Sequence, residues 1–290
     1  RVANKIYKIG PRKDIELAFQ ANQRFQDYVP ADYHDILPAM EFNLLDAEQA
    51  ALTVEYCGSR NFEDLILKSD LSDEDTYSTV QLVHRATLQS LKRIFEESKL
   101  RDPTRIREES GKFFQELLDA LRVNLTLGGI IEGYDNILRS VETSKEKVVS
   151  ECLPSLAHKD LSVGNIVVSD DGARVKLIDT RLTVPHLEQT VSYSALGNIA
   201  IYIIGYQISL YRKQLELIHS GKTDRLTPLL HEVSAAIKSY IQDGFFTDEM
   251  KLLCETVWFS VFSACKCNYC LAPEREWLYN LMVEKTNEKL

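Results

Sequence analysis

Between residues 165 and 180 the pattern of apolar residues changes from helical to strand-like. Two short β-branched runs, 166–168 and 175–178, stand in a region where apolar residues otherwise recur at helical spacing. They flank Ser-Asp-Asp-Gly at 169–172, and Asp-Gly between two apolar runs is a strong signal for a β-hairpin. The sequence therefore predicts a mixed α+β fold with a hairpin at this point.

The remaining periodicity divides the chain into a small mixed part and a larger helical part. Before residue 57 the order is a strand at 5–9, a helix at 15–28 and strands at 39–44 and 51–56. The helices predicted beyond it span 76–97, 104–123, 128–145, 194–221, 226–242, 248–265 and 273–290. We expect two domains, residues 1–57 and residues 58–290, with the hairpin in the second.

Composition narrows the class of protein. The chain has 290 residues, 44% of them hydrophobic, which is enough for a large buried core and too many for a disordered chain. The net charge of −9 argues against binding to nucleic acid, because such binding depends on Lys and Arg neutralising phosphates. No run reaches the length of a membrane span and no signal peptide is evident. We expect a cytoplasmic protein without a membrane or nucleic-acid partner.

A group of polar residues surrounds the predicted hairpin. His158, Asp160 and Asn165 fit the pattern H-x-D-x-x-x-x-N just before it, and its second strand ends in Asp179. Phosphoryl transfer needs a carboxylate to orient the attacking hydroxyl and accept its proton, a second carboxylate for Mg²⁺ and a neutral amide to complete the metal site. Asp160, Asp179 and Asn165 suit these roles in that order, while His158 would brace the loop. The alternative is a chance match that caps a turn.

These residues carry a resemblance to a known family. The runs Leu-Pro-Ser-Leu-Ala-His-Lys-Asp at 153–160, Asn-Ile-Val-Val at 165–168 and Leu-Ile-Asp at 177–179 resemble the aminoglycoside phosphotransferase and choline kinase branch of the protein-kinase-like fold. Protein kinases follow the metal-binding Asp with Phe-Gly, whereas this chain has Thr180-Arg181. The resemblance implies a two-lobe fold with a small N-lobe and a large helical C-lobe, ATP and Mg²⁺ as cofactors, and transfer of the γ-phosphoryl group to a hydroxyl of a small molecule.

The resemblance extends to the amino-terminal part. Lys8 is similar to the lysine that contacts the nucleotide phosphates, and Glu16 could be its acidic partner. The alternatives are a solvated strand lysine and a first-turn acid favoured by the helix dipole. Glu55 and Cys57 fall at the interlobe hinge, which would contact adenine through backbone groups and without side-chain chemistry. Only seven residues precede Lys8, so we expect a truncated N-lobe that lacks the family's phosphate-covering strands.

Two functional alternatives and one cysteine group stay open. The chain could be a protein-kinase-like enzyme, or a kinase-like module of a larger protein with weak or no activity. Four cysteines near the carboxyl end could bind zinc or could be buried helix-packing residues; they are Cys254, Cys265, Cys267 and Cys270. No motif specifies the acceptor.

Overall fold

A computed structural model describes residues 5–28, 31–97, 134–150, 154–156, 158, 161–170, 172, 174–179, 192–220 and 272–287, with isolated positions between 111 and 122 and at 226 and 229. The chain divides into two compact units. The first unit comprises Arg1–Arg101 and Ser155–Ser192, and the second comprises Asp102–Pro154 and Tyr193–Leu290. Residues 58–101 thus fall in the same unit as residues 1–57, and the predicted boundary at residue 57 stays a prediction.

The first unit begins with the predicted strand–helix–strand–strand order. Strand β1 is Lys5–Pro11, helix α1 is Arg12–Tyr28, and β2 and β3 are Met40–Leu44 and Gln49–Glu55, with a short 3₁₀ helix at Ala31–Ile36. The three strands form an antiparallel sheet in the order β1-β3-β2. The tight connection between β2 and β3 is held by Asp46, whose carboxylate accepts hydrogen bonds from the backbone amides of Glu48 and Gln49.

Helix α1 packs on this sheet because one of its faces is apolar. Ile15 is buried together with Ala50 and Leu52 of the central strand. Phe19 extends the contact toward β2, where its ring centroid lies 5.8 Å from that of Phe42. Burial of these side chains removes apolar surface from water, which is the main stabilising term for such a layer.

The rest of the first unit supports the predicted hairpin. Strand β4 (Arg60–Asn61) leads directly into α2 (Phe62–Lys68), and α3 follows at Glu74–Glu97. Strands β6 (Ile166–Val168) and β7 (Val175–Leu177) come later, after a 3₁₀ turn at Val163–Asn165. Two further strands, β5 (Pro154–Leu156) and β8 (Ser192–Ser194), span the points at which the chain passes from one unit to the other. Strands β4, β6 and β7 form a second three-stranded sheet.

The predicted hairpin is confirmed. Strands β6 and β7 pair in antiparallel register, with Val167 opposite Lys176. The turn ends at Gly172, whose φ of 71° is in the left-handed region that glycine adopts without steric cost. Its amide donates to the carbonyl of Ser169 at 2.8 Å, closing the turn.

The second unit is helical where the structure describes it. Helix α4 is Tyr134–Ser150, α5 is Ala195–His219 and α6 is Ala272–Asn287. Helices α5 and α6 are joined by a bidentate ion pair, in which Arg212 Nε lies 2.6 Å from Glu274 Oε1, and by stacking of Tyr211 on Trp277. No described helix is long and apolar enough to cross a membrane. The helices predicted at 226–242 and 248–265 lie outside the described residues, as does most of 104–123.

Candidate functional site

The first unit contains a cavity of about 670 Å³, here called the first cavity. This volume lies in the range of small-molecule and cofactor sites. Its walls come from β1, α1, β2, β3, the segment that follows β3, and the hairpin. The lining residues are mostly apolar; they are Ile6, Lys8, Leu17, Ala18, Ala21, Met40, Leu52, Val54, Glu55, Cys57, Gly58, Val167, Ile178 and Asp179.

Two of the predicted site residues meet in this cavity. Lys8 Nζ lies 3.3 Å from Asp179 Oδ1, although the residues are 171 positions apart in the sequence. Their side chains are 60% and 49% exposed, so the pair itself contributes little to stability. Its importance is chemical, because it places a cation and a carboxylate together beside an apolar cavity.

Asp179 has an unusual backbone conformation. Its φ of 54° is in the left-handed region, which costs non-glycine residues about 1 kcal/mol or more and is tolerated best by Asn and Asp. The preceding residue is anchored, since the amide of Ile178 donates to the carbonyl of Asn165 at 2.9 Å. The hairpin therefore brings Asn165 and Asp179, the two predicted metal ligands, to the same end.

The donor set suits Mg²⁺. A carboxylate and an amide supply hard oxygen ligands, and Mg²⁺ is commonly bound by one or two carboxylates, substrate phosphates and water. Asp179 is exposed and Asn165 is partly buried, so both are accessible to a solvated ion. Among the described residues, no three His, Cys, Asp or Glu side chains lie close enough together to hold a metal ion.

The Glu55 side chain forms an ion pair that the sequence did not predict. Its carboxylate Oε2 lies 2.7 Å from Lys176 Nζ and 3.0 Å from the amide of Ala39. Partial burial acts to raise the pKa of Glu55, but the hydrogen bonds from Lys176 and Ala39, with the charges of Lys176 and Arg174, outweigh it and lower that pKa. The ion pair of Glu55 was not expected, and the predicted backbone contact with adenine stays a prediction.

Cys57 is a half-buried thiol that lines the same cavity. Its Sγ donates to the carbonyl of Glu55 at 3.3 Å. Burial raises the pKa of the Cys57 thiol and the nearby Glu55 carboxylate raises it further, while Lys176 acts in the opposite direction. The residue is therefore a neutral thiol at physiological pH, so the charge on this wall of the cavity comes from Glu55 and not from Cys57.

Glu16 is not the partner of Lys8 in this structure. It lies 3.7 Å from Arg12 Nε and accepts a hydrogen bond from Gln20, and it does not line the first cavity. The reason is local: Arg12 begins α1 and sits one helical turn before Glu16, at the i,i+4 spacing that favours ion pairs. The expected Lys8–Glu16 pair is thus replaced by Lys8–Asp179, and a role for Glu16 in nucleotide binding stays a prediction.

His158 is buried, and the central predicted acid is not described. His158 is 1% exposed and packs edge-on against Phe25 of α1, with ring centroids 6.1 Å apart. This position inside the first unit agrees with a bracing role. Asp160 lies outside the described residues, and so do Cys254, Cys265, Cys267 and Cys270.

Two residues important for the site were missed from the sequence. A Cβ built on Gly58 would lie 1.9 Å from the carbonyl oxygen of Val168, so only glycine allows the two backbones to approach this closely. Lys176 lies between Val175 and Leu177 on strand β7. Because successive side chains of a strand point to opposite faces, Lys176 points away from these two apolar neighbours, toward a polar partner.

A second cavity, of about 590 Å³, also lies in the first unit. It shares the segment that follows β3 and the hairpin with the first cavity, and adds parts of α2 and α3. Its lining is mostly polar; it consists of Tyr56, Ser59, Arg60, Leu65, Ser69, Asp75, Thr76, Thr79, Val168, Ser169, Asp170 and Gly172.

Structures of glucosamine kinase are among the known structures that have a similar fold. No protein-family model matches the sequence, and no curated protein matches it either. Glucosamine kinase in two crystal forms gives TM-scores of 0.60 and 0.57 at 12% identity, with 98% of this chain and 71% and 73% of those chains covered. Glucosamine kinase in complex with glucosamine, ADP and inorganic phosphate gives 0.55 at 12% identity, covering 100% of this chain and 76% of that chain. The likeness shows a kinase-like fold of mixed helices and small sheets.

Proposed function

We propose that this chain is an ATP-dependent phosphotransferase that moves the γ-phosphoryl group to a hydroxyl of a small molecule. The observation that carries the proposal is the Lys8–Asp179 pair, 3.3 Å apart, beside a largely apolar cavity of about 670 Å³. A nucleotide needs both features together: apolar walls for the base, and a cation and a metal-binding carboxylate for the phosphates.

The residues would divide the work of nucleotide binding. Leu52, Val54 and Val167 offer apolar surface to the base, and the backbone of 55–57 offers hydrogen-bonding groups beside it. Lys8 would exchange its contact with Asp179 for the nucleotide phosphates, because the ion pair is exposed and its separation requires little free energy. The pair thus keeps both groups in place before the nucleotide arrives.

Asn165 and Asp179 would hold Mg²⁺ at the end of the hairpin. When bound, the ion neutralises charge on the nucleotide phosphates and favours transfer. The left-handed backbone at Asp179 and the hydrogen bond from Ile178 to Asn165 fix where these two residues sit. Such fixed positioning matters because catalysis of phosphoryl transfer comes mainly from orientation and electrostatic stabilisation.

Asp160 would act on the acceptor. In the proposed reaction the acceptor oxygen forms a bond to the γ-phosphorus, the bond to the β,γ-bridging oxygen breaks to leave ADP, and Asp160 accepts the hydroxyl proton. His158, buried against Phe25, would hold the loop that carries Asp160. The likeness to glucosamine kinase makes amino sugars the first acceptors to try.

Thermal unfolding with ATP tests the nucleotide site directly. A ligand at 100 times its dissociation constant stabilises a protein by about 2.7 kcal/mol. We expect ATP with Mg²⁺ to raise the melting temperature of the unaltered chain, a smaller rise with ATP alone, and no Mg²⁺-dependent part for Asp179→Ala. Asp75→Ala is the matched control, since Asp75 is a carboxylate that lines the second cavity.

The outcome separates the alternatives. Transfer of labelled phosphate to amino sugars or other small alcohols supports the proposal, whereas transfer only to protein substrates indicates a protein-kinase-like enzyme. If neither ATP nor ATP with Mg²⁺ changes the melting temperature of the unaltered chain, the proposed nucleotide site is wrong and a kinase-like module without activity becomes the better description.

A further inference from the structure

Lys176 is an inward-facing cation that does not line the first cavity. Its side chain is only 15% exposed, and its Nζ lies 2.7 Å from Glu55 Oε2 and 3.3 Å from the carbonyl oxygen of Leu37. Such a partly buried, charge-assisted hydrogen bond is stronger than a pair on the surface. A nearly buried lysine therefore lies next to the proposed nucleotide site but does not line the cavity.

The contacts of Lys176 join two walls of the first cavity. Lys176 belongs to β7, which leads into Ile178 and Asp179. Glu55 ends β3 and begins the segment 55–58, whose residues 55, 57 and 58 line the cavity. Glu55 Oε2 also accepts from the amide of Ala39 just before β2, so a single carboxylate gathers β2, β3 and the hairpin.

We propose that Lys176 is a positioning residue for nucleotide binding. Its ion pair with Glu55 holds the segment 55–58 at a fixed distance from the hairpin end that carries Asn165 and Asp179. This inference rests on the proposed function. The base would contact one wall and the phosphates and Mg²⁺ the other, so the distance between the walls must match one ligand. A shift of about 1 Å in such an arrangement reduces rates by about a hundredfold.

The cation is needed because removing it leaves a carboxylate without its main partner. Glu55 is partly buried, and without Lys176 its described interactions would be the hydrogen bond from the amide of Ala39 and the charge of Arg174. A neutral residue at 176 would let Glu55 turn toward water and draw the segment 55–58 away from the hairpin. A lysine that only filled space would not produce this displacement when replaced by an apolar side chain of similar length.

The test compares four variants with the unaltered chain. These are Lys176→Met, Lys176→Arg, Glu55→Gln and the double variant Lys176→Met/Glu55→Gln. Lys68→Met is the control, because Lys68 is a lysine of the same unit whose side chain is 73% exposed and whose described ion pair is with Asp64 in its own helix. Each variant is measured for the dissociation constant of ATP with Mg²⁺ and for amide hydrogen exchange of residues 54–58 without nucleotide.

Lys176→Met should weaken nucleotide binding about tenfold, since residues joined in one contact show interaction energies of that order. Exchange at residues 54–58 should accelerate about tenfold as local opening becomes easier. Lys176→Arg should recover most of both losses, and the double variant should be no weaker than Lys176→Met alone. Lys68→Met should change neither.

Two results would overturn the inference. One is unchanged exchange at 54–58 in Lys176→Met, which would show that the lysine does not hold this segment whether or not the chain binds nucleotide. The other is a folded Lys176→Met variant that binds nucleotide as tightly as the unaltered chain, which would leave the proposed function intact and remove the role of Lys176. Absence of binding by the unaltered chain would contradict the proposed function instead.

Discussion

The two cavities of the first unit are lined by neighbouring residues of the same stretches of chain and differ in how they obtain their polar groups. Their volumes, about 670 and 590 Å³, are similar. Neighbouring residues of the same segments line different cavities: Glu55, Cys57, Gly58 and Val167 line the first, while Tyr56, Ser59, Arg60 and Val168 line the second. Volume and location in the chain therefore do not distinguish the candidate site from its neighbour.

The origin of the charges does distinguish them. In the second cavity Asp170 Oδ1 accepts hydrogen bonds from the amide and the hydroxyl of Ser59, at 2.9 and 2.8 Å, and so holds the segment after β3 to the hairpin turn. In the first cavity Lys8 and Asp179 form an exposed pair that adds little to stability. Polar groups with no evident structural purpose that converge on an apolar cavity are the better sign of a ligand site.

The largest effect is expected at Gly58, which lines the first cavity and lies against Val168 of the second. Gly58→Ala would place a Cβ 1.9 Å from the carbonyl oxygen of Val168, so one of the two backbones must move. We expect a loss of about 3 kcal/mol in the free energy of unfolding, at the upper end for overpacking, and weaker nucleotide binding. Urea denaturation measures the first and nucleotide titration the second.

Gly10→Ala is the control for this change. The nearest atom to a Cβ at Gly10 is Ile15 Cδ1 at 3.7 Å, an ordinary van der Waals distance. That variant should keep its stability within about 0.5 kcal/mol. Equal stability of the two alanine variants would mean that the close approach of Gly58 to Val168 is not required by the fold.

A crossed pair of variants tests whether only the first cavity binds nucleotide. Lys8→Met should weaken ATP binding about tenfold through the lost attraction to phosphate, and change the free energy of unfolding by less than about 1 kcal/mol because the pair is exposed. Asp170→Ala should do the reverse: a loss of about 1 kcal/mol in stability with the hydrogen bonds of Ser59, and unchanged ATP affinity. Weaker ATP binding in Asp170→Ala than in Lys8→Met would point to the second cavity instead.

The sequence was informative where structure follows from local pattern. The Asp-Gly turn predicted the hairpin, and helical periodicity predicted α1, α3, α5 and α6 to within a few residues at most ends. The end of the hairpin indicated Asp179 and the family resemblance indicated Lys8, but the 3.3 Å contact between them was not predicted. Strand β4 and helix α2 were missed because elements of two and seven residues are too short to show a period.

The remaining site contacts depend on competition that periodicity does not express. Glu16 had two candidate cations, and Arg12 one helical turn away was the closer. The Lys176–Glu55 pair joins residues 121 positions apart, so it depends on the register of two sheets. Glu55 lies at the end of a strand, where the sequence suggested a backbone contact with adenine but gave no sign of the side-chain ion pair with Lys176. Such contacts follow from packing and are read only from the folded chain.

Acid pH should lower the free energy of unfolding through protonation of Glu55, and this is the smallest effect that we expect. The carboxylate is faced by Lys176 and Arg174 and by the thiol of Cys57, and its pKa is lowered from an ordinary value of 4.5. A carboxylate with a lowered pKa in the folded state stabilises the fold above the unfolded-state pKa and loses that contribution as pH falls through the folded-state value.

The difference in unfolding free energy between the unaltered chain and Glu55→Gln should therefore be constant near neutral pH and shrink below about pH 4.5. The side chain is 37% exposed, so solvent screening keeps the difference small. Urea denaturation at a series of pH values measures it, and a difference that stays constant down to pH values well below 4.5 would mean that Glu55 is not stabilised by Lys176 in the folded chain.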